Sequence, residues 1–507
     1  MSHLGFASRP APWELCAVIS TAVLCRLPAI GDFPGVAGDE GNWALLAAAA
    51  RGSWISLPPE AAFVTPLFAW ILAPAAWLSP GWGALRAVPM LLVSAACIGV
   101  RVLGHDPLGA RGARAAALLL ALHPWSVMWS RNVSVPYALS LVSATLGPLA
   151  LLHAQRRGGR ASAVLAWQLV GVGVHFSPLG GVPLGLALVW AWRVRWRTAL
   201  PAALGLAHLA LVLPGVLALP AHARSGAATA LLPGVFGAAR MIVAQLSGVA
   251  TLRHVAGASG AAEALGALVV LLTVAAAVRA RDGAAVRASL GYLAATVIAL
   301  PVMLVPARAW SMPTVDAERY GFAVLAPFVL LVGALASRGR SGAAIAACAV
   351  VGCALLPDAG LLRHARAATA VDLGLSVAGG GGRYRGWQRP HGGGALVDRA
   401  FDAARRDAAG APAVVRYDDY AFHAIRLRTL GVPEARVRHA LGDARPRPGE
   451  RVYHLLWRPE VFAPAFAPWG LAEAQRQAWR GRRALRRVAV WRAMSGAPLC
   501  ELLADDP

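Results

Sequence analysis

Two adjacent carboxylates near the start of the sequence are the first candidates for chemistry. Asp39 and Glu40 lie in the stretch FPGVAGDEGNWALL, shortly after the first long apolar run of a chain that otherwise contains few acids. A carboxylate at a boundary between water and membrane is partly desolvated, which raises its pKa and makes it a stronger base. Such a group is suited to take a proton from a hydroxyl during a transfer reaction.

Helix capping is the alternative role for the same acids. Asp39 follows Gly38 and precedes EGNWALLAAAARG, whose apolar positions suit an amphipathic helix, so Asp39 is also a good N-cap. A glutamate in the first turn, such as Glu40, is favoured by the helix dipole. Sequence pattern alone leaves both roles open.

Arginines at the outer ends of two predicted spans are candidate binders of phosphate. Arg131 lies in HPWSVMWSRNVSVPYAL, and Arg319 and Tyr320 lie in VDAERYGFAVLAPF. A guanidinium can donate two parallel hydrogen bonds to a phosphate. The alternative is an interfacial anchor whose charged end reaches water.

Two histidines, His123 and His175, lie near outer helix ends. A single histidine in such a position is usually a hydrogen-bonded packing residue. No spaced set of His, Cys, Asp and Glu predicts a metal site. We therefore expect no cofactor, and a divalent metal on these histidines is the alternative.

The composition identifies the kind of protein that carries these residues. The 507 residues are 57% hydrophobic and 14% charged, with a mean hydropathy of +0.56, which is too apolar for a soluble protein of this length. The net charge of +23 comes from arginine, much of it in short clusters between apolar runs, as in cytoplasmic loops. No nucleic-acid-binding motif or fold accompanies these clusters, so nucleic acid is not an expected partner.

Apolar runs long enough to cross a bilayer predict a polytopic α-helical membrane protein with about eleven spans. The predicted spans are 12–30, 86–103, 115–130, 135–153, 161–176, 178–192, 198–220, 263–280, 288–306, 320–337 and 343–357. A further apolar segment at 63–79 contains two prolines, and we interpret it as a juxtamembrane helix within a first extracytoplasmic loop at 31–85.

The distribution of charge predicts the orientation of these spans. If 63–79 does not cross and the N-terminus is cytoplasmic, nearly every arginine cluster of the membrane region falls in a cytoplasmic loop. Most of the ten carboxylates before residue 357 then fall at or near the extracytoplasmic face, the pair Asp39–Glu40 among them. We therefore expect a multi-pass protein of the cytoplasmic membrane whose chemistry faces outward.

A polar segment at 358–507 follows the membrane domain at 1–357 and predicts a soluble extracytoplasmic α/β domain. The spacing of apolar residues predicts its helices and strands. They are helices in ALVDRAFDAARRDAAG, DDYAFHAIRLRTLG and LAEAQRQAW, and strands in APAVVRY, RVYHLLW and RRVAVWRA.

An ordered set of motifs runs through the membrane region: GDE in the first outward loop, TPLFAW, LHPWSVMWSRN at the end of a span, and ERY with LAPF opening a late span. This set resembles the glycosyltransferase-C superfamily, in particular the bacterial protein-mannosyltransferase and aminoarabinose-transferase type called glycosyltransferase family 39. Relatives also carry an outward C-terminal α/β domain.

The resemblance implies an enzyme that moves a sugar from a polyprenyl-phosphate donor to an acceptor hydroxyl on a lipid, glycan or protein of the cell envelope, with inversion. It implies Asp39 as the general base and Glu40 as its companion. It implies Arg131, Arg319 and Tyr320 at the donor phosphate.

One motif departs from the family pattern. Aminoarabinose transferases carry Glu-Lys-Pro before the juxtamembrane segment, where this chain has Phe63, Val64 and Thr65. The lysine that meets the lipid phosphate is therefore replaced, which leaves the phosphate to arginines. Glu60, together with His123 and His175, is a candidate substrate contact.

Two other functional classes stay open. A multi-span transporter or lipid flippase would be expected to show internal repeats and polar residues at mid-membrane, and neither is clear. The second of these classes is a non-catalytic membrane subunit of an envelope-assembly complex.

Overall fold

The residues that the structure describes are mainly helical up to Leu356, and from Gly393 onward they form a helix and a β-sheet. The computed structural model describes residues 10–28, 30, 47, 67–78, 82–131, 133, 135–157, 159–193, 199–217, 231–251, 260–304, 321–356, 393–417, 437–441, 448–457, 485–492 and 498–505.

The helices of the first part are α1 (Pro12–Leu24), α2 (Leu67–Leu78), α3 (Trp82–Leu103), α4 (His105–Leu122), α5 (Pro124–Ser130), α6 (Val135–Arg157), α7 (Arg160–Gly171), α8 (Gly181–Arg193), α9 (Ala199–Leu217), α10 (Leu231–Leu246), α11 (Gly260–Arg279), α12 (Ala284–Leu304), α13 (Phe322–Ala336) and α14 (Gly339–Val350). Short 3₁₀ turns cover Val172–His175 and Pro178–Gly180, and a π-helical turn covers Val351–Leu355.

Three of the described helices are long and apolar enough to cross a membrane, judged by length and composition: Gly83–Leu103, Pro136–Arg156 and Gly260–Arg279. Helix α2 is described over 12 residues, Leu67–Leu78, within the apolar segment 63–79. Its interpretation as a juxtamembrane helix stays a prediction. The count of eleven spans stays a prediction.

The predicted span at 115–130 differs from the helices that form. The structure has α4, then His123 in an extended conformation, then α5. Proline at position 124 has no N–H to continue the first helix, and it disfavours helical backbone at the preceding residue. One apolar run in the sequence therefore becomes two helices, α4 and α5, separated at His123.

Helix α13 is the centre of the bundle, and every one of its residues is buried. It packs against α4, α6, α12 and α14. The contact with α4 is close because Gly112 faces Gly333: a Cβ on Gly112 would lie 2.4 Å from the Gly333 carbonyl oxygen. Helix α13 contains no charged residue, so its burial leaves no side-chain charge without a partner.

Side-chain contacts bring several basic turns to one end of the bundle. Asp106, at the start of α4, lies 3.5 Å from His153 near the end of α6. Arg338, between α13 and α14, donates to both carboxylate oxygens of Asp282, between α11 and α12, at 3.0 and 2.8 Å. These turns belong to the arginine-rich stretches predicted to share the cytoplasmic side. The structure groups them, and the face of the membrane that they meet stays a prediction.

The C-terminal part contains helix α15 (Gly393–Ala408) and a five-stranded sheet. The strands are β1 (Ala413–Tyr417), β2 (Val437–Leu441), β3 (Arg451–Trp457), β4 (Arg486–Arg492) and β5 (Pro498–Ala504), in the order β2-β1-β3-β5-β4. β1 is parallel to β2 and β3, whereas β5 is antiparallel to β3 and β4.

The predicted strands β1, β3 and β4 and the predicted helix α15 are confirmed. Strands β2 and β5 are additional, and the predicted helices at 418–431 and 471–479 lie outside the described residues. PLCELLA in β5 contains good helix formers, so pairing with two neighbouring strands decides its conformation.

One ion-pair cluster joins α15 to the sheet. Asp407 accepts from both terminal nitrogens of Arg486, at 3.0 and 2.7 Å, and from the Tyr453 hydroxyl at 2.9 Å. The hydrogen bonds from Arg486 hold the pKa of Asp407 below its ordinary value. The division into domains at residue 357 and the side on which this part lies stay predictions.

The grouping of the turns makes the orientation testable by labelling single cysteines in intact cells. With the native cysteines replaced, Arg281→Cys and Ser162→Cys should resist a membrane-impermeant maleimide until the membrane is permeabilised. Gly260→Cys, an exposed position at the opposite end of α11, should react without permeabilisation. Labelling of all three from the same side would contradict the predicted topology.

Candidate functional site

Three buried arginines form a cluster at the end of the bundle opposite the basic turns. Arg26 follows α1, Arg86 is the fifth residue of α3, and Arg131 follows α5. Their exposed fractions are 0%, 0% and 2%. Arg26 and Arg86 lie close enough to Arg131 for their charges to act on its guanidinium. Three like charges in an apolar surrounding create a strong positive potential, which favours an anion in or beside the cluster.

Arg26 anchors the cluster to the α4–α5 segment. Its Nε donates to the Ser130 hydroxyl at 2.7 Å, and its terminal nitrogens donate to the Ser126 hydroxyl at 2.8 Å and the Ala121 carbonyl at 2.6 Å. A further bond goes to the Ala22 carbonyl at 2.9 Å. Ser126 and Ser130 share one face of α5 because they are four residues apart. These acceptors make burial of the charge tolerable.

Arg86 and Arg131 hold the chain that leads into the first loop. Arg86 donates to the Ile30 carbonyl at 3.1 Å, and Arg131 donates to the Pro28 carbonyl. Residues 28 and 30 are the last described positions before the segment that contains Asp39 and Glu40. Two cluster arginines therefore fix the point from which the acid-bearing segment departs.

The far side of that segment is also anchored. Ala47 is fully buried and belongs to an apolar cluster that includes Phe68 of α2, Leu85 of α3 and Val133, two residues after Arg131. In the sequence, residues 31–46 thus connect Ile30 to Ala47, and both of these residues lie near the arginine cluster.

An aromatic group lies next to the arginines. Trp125 and Trp129 of α5 stack with ring centroids 5.7 Å apart, and Tyr137 of α6 meets Trp129 edge-on at 5.1 Å. Phe322, the first residue of α13, lies 6.2 Å from Trp125. Gly321 before it packs so closely that a Cβ there would lie 2.6 Å from the Trp125 Nε1. The chain that follows Arg319 and Tyr320 therefore starts against α5.

His123 uses both ring nitrogens within the protein. Its Nδ1 accepts from the Trp125 backbone N–H at 3.2 Å, which caps α5, and its Nε2 donates to the Leu246 carbonyl at 3.1 Å. This pattern requires the neutral imidazole with its proton on Nε2. These bonds support the packing alternative, and a substrate contact by His123 stays a prediction.

His175 lies in a separate polar group between α7 and α9. Its Nε2 is 2.7 Å from the Nδ1 of His208, whose Nε2 is 2.7 Å from the amide oxygen of Gln168. Because an amide oxygen accepts, His208 donates to Gln168 and, when neutral, accepts from His175. The structure therefore brings His175 to His208 rather than to Arg131.

The remaining predicted site residues, which are Asp39, Glu40, Glu60, Arg319 and Tyr320, lie outside the described residues. Sequence reasoning missed Arg26 and Arg86. The available signal was a charged residue inside or at the end of an apolar span, which indicates a functional position by default. Among the residues that the structure describes, no group of three or more His, Cys, Asp or Glu could hold a metal ion.

The bonds of Arg26 predict a large structural role. Arg26→Met removes the charge and leaves two serine hydroxyls and three carbonyls, those of Ala22, Leu120 and Ala121, without this donor. We therefore expect a loss of about 2–3 kcal/mol in the free energy of unfolding. The measurement is unfolding in mixed micelles of increasing denaturing detergent. Arg240→Met is the control, because Arg240 is 76% exposed and its pair with Glu263 should contribute less than about 1 kcal/mol. Equal losses in the two variants would contradict the role of Arg26.

Comparison with known proteins finds no matching family model and no matching curated protein. Among solved structures, the chain is similar to an oligosaccharyltransferase of Archaeoglobus fulgidus that was crystallised with zinc and sulfate. The alignment has 14% sequence identity and a TM-score of 0.46, and it covers 84% of this chain and 62% of the archaeal protein. This chain thus spans less than two thirds of the length of that protein.

Proposed function

We propose that this chain is an integral-membrane glycosyltransferase. It moves a sugar from a polyprenyl-phosphate donor to an acceptor hydroxyl on a lipid, glycan or protein at the outer face of the cytoplasmic membrane. The support comes from the ordered sequence motifs and from the buried arginine cluster. The observation that carries the proposal is that Arg131 shares this cluster with Arg86, and that both hold the chain leading to Asp39 and Glu40.

The proposed reaction is a single displacement. Asp39 takes the proton of the acceptor hydroxyl as its oxygen forms a bond to the anomeric carbon of the sugar. The bond from that carbon to the phosphate oxygen breaks, and the electron pair leaves with the polyprenyl phosphate. Attack from the face opposite the leaving group inverts the configuration. Glu40 orients the acceptor hydroxyl.

The arginines stabilise the leaving group in this proposal. Negative charge develops on the phosphate oxygen as the bond breaks, and guanidinium groups already in position stabilise it without reorganisation. Arg131 carries five N–H donors in a planar fork, so its bond to Pro28 is compatible with a second interaction with phosphate. Arg319 and Tyr320 complete the phosphate site from the segment before α13.

The direct test of the base is Asp39→Asn. We expect transfer of sugar from purified polyprenyl-phosphate donors to fall by about 10²–10⁴-fold, because the amide cannot take the proton. Membrane insertion and yield should stay unchanged. Glu263→Gln is the matched control, since Glu263 is another acid predicted at the outer face, where it pairs with the exposed Arg240. A fully active Asp39→Asn variant would refute the assignment.

The phosphate role predicts a different signature for Arg131. Arg131→Gln should lower kcat by about 10²–10³-fold, since an interaction that strengthens in the transition state is lost. Steady-state kinetics over a range of donor concentrations separates kcat from KM. A rise in KM with an unchanged kcat would mean that Arg131 binds the donor equally in the ground state and the transition state. Unchanged kinetics would remove Arg131 from the site.

A further inference from the structure

We propose that a cavity at the other end of the helical bundle binds one anionic phospholipid. The cavity has a volume of about 350 Å³ and lies between α4, α6, α8 and α12. Most of its wall is aliphatic. Leu149 and Leu152 of α6 and Leu186 of α8 are among the side chains that form it. This site is separate from the arginine cluster, and the proposal does not depend on the glycosyltransferase assignment.

The cavity lies at the end of the bundle that carries the basic turns, where a lipid of the membrane leaflet on that side can reach it. Leu108, which lines the cavity, is three residues into α4, and its carbonyl accepts a hydrogen bond from Ser337. Arg193, which also lines it, is the last residue of α8, and Ala285 lies in the first turn of α12. The cavity therefore lies beside the turns that carry most of the arginines of the membrane region.

The lining matches an acyl chain better than a polar ligand. Tyr292 is buried, and its hydroxyl donates its one proton to the Ala144 carbonyl at 3.1 Å, so it offers no donor to a ligand. A volume of about 350 Å³ lies in the range of small-ligand sites. It is too small to hold a helix of another protein, which is about 10 Å across. An extended hydrocarbon chain fits both the volume and the wall.

Charge decides the class of lipid. Arg193 is exposed at the cavity edge, and Arg195 and Arg197 follow it in sequence. The guanidinium of Arg193 can bind a phosphate, and the arginines of the neighbouring basic turns favour a headgroup with net negative charge. The neighbouring acid, Asp106, lies 3.6 Å from His105 and 3.5 Å from His153, so imidazole rings flank its charge.

The experiment uses the full chain, reconstituted in nanodiscs of phosphatidylcholine with one fifth phosphatidylglycerol and then extracted in mild detergent. Mass analysis of the retained lipid should find about one phosphatidylglycerol per chain, enriched over its share in the nanodisc. Arg193→Gln should reduce its retention about fivefold, the effect of one basic residue near an anionic lipid surface. Arg279→Gln, an exposed arginine in the last turn of α11 outside the cavity lining, should not change it.

Two variants that fill the cavity complete the test. Ala187→Phe occupies a buried part of the wall, and Ala288→Phe occupies an exposed part, where folding tolerates the larger side chain better. Both should abolish the retained phosphatidylglycerol. Retention unchanged in Ala288→Phe would overturn the proposal. So would equal retention of phosphatidylcholine, or recovery of polyprenyl phosphate instead of a phospholipid from protein purified from cells.

Discussion

The burial of three guanidinium groups is the constraint on which the candidate site depends. A buried charge costs several kcal/mol unless hydrogen bonds replace its water. Arg26 finds these bonds on α4 and α5, and Arg86 and Arg131 find theirs on the chain after α1. The need to satisfy the arginines therefore joins α1, α3 and α5 at one end of the bundle and fixes where the first loop begins.

The two ends of the helical bundle carry different chemistry. One end combines buried arginines with the stacked tryptophans of α5, and it holds both flanks of the acid-bearing segment. The other end combines exposed arginines with an apolar cavity. Helix α13 runs between the two ends without charged residues of its own, and it packs closely against α4 at Gly112 and Gly333.

Several elements follow from local sequence because the spacing of their apolar residues matches one type of secondary structure. The helices of the apolar runs, helix α15 and strands β1, β3 and β4 form where period and composition predict them. Others do not follow in this way. The break at His123 depends on Pro124 and on an acceptor in α10, and strand β5 depends on partners on both sides. Contacts distant in sequence override local preference at these positions.

By itself, the sequence determined that the chain is largely apolar and helical, that its acids are few, and that its arginines cluster between apolar runs. Hydropathy and charge depend on composition along the chain, so they need no knowledge of the fold. Only the tertiary structure decided that Arg131 joins Arg26 and Arg86, whereas His175 joins His208. Those pairings are determined by which helix ends meet, since a buried polar group must find its partner wherever packing brings one within reach.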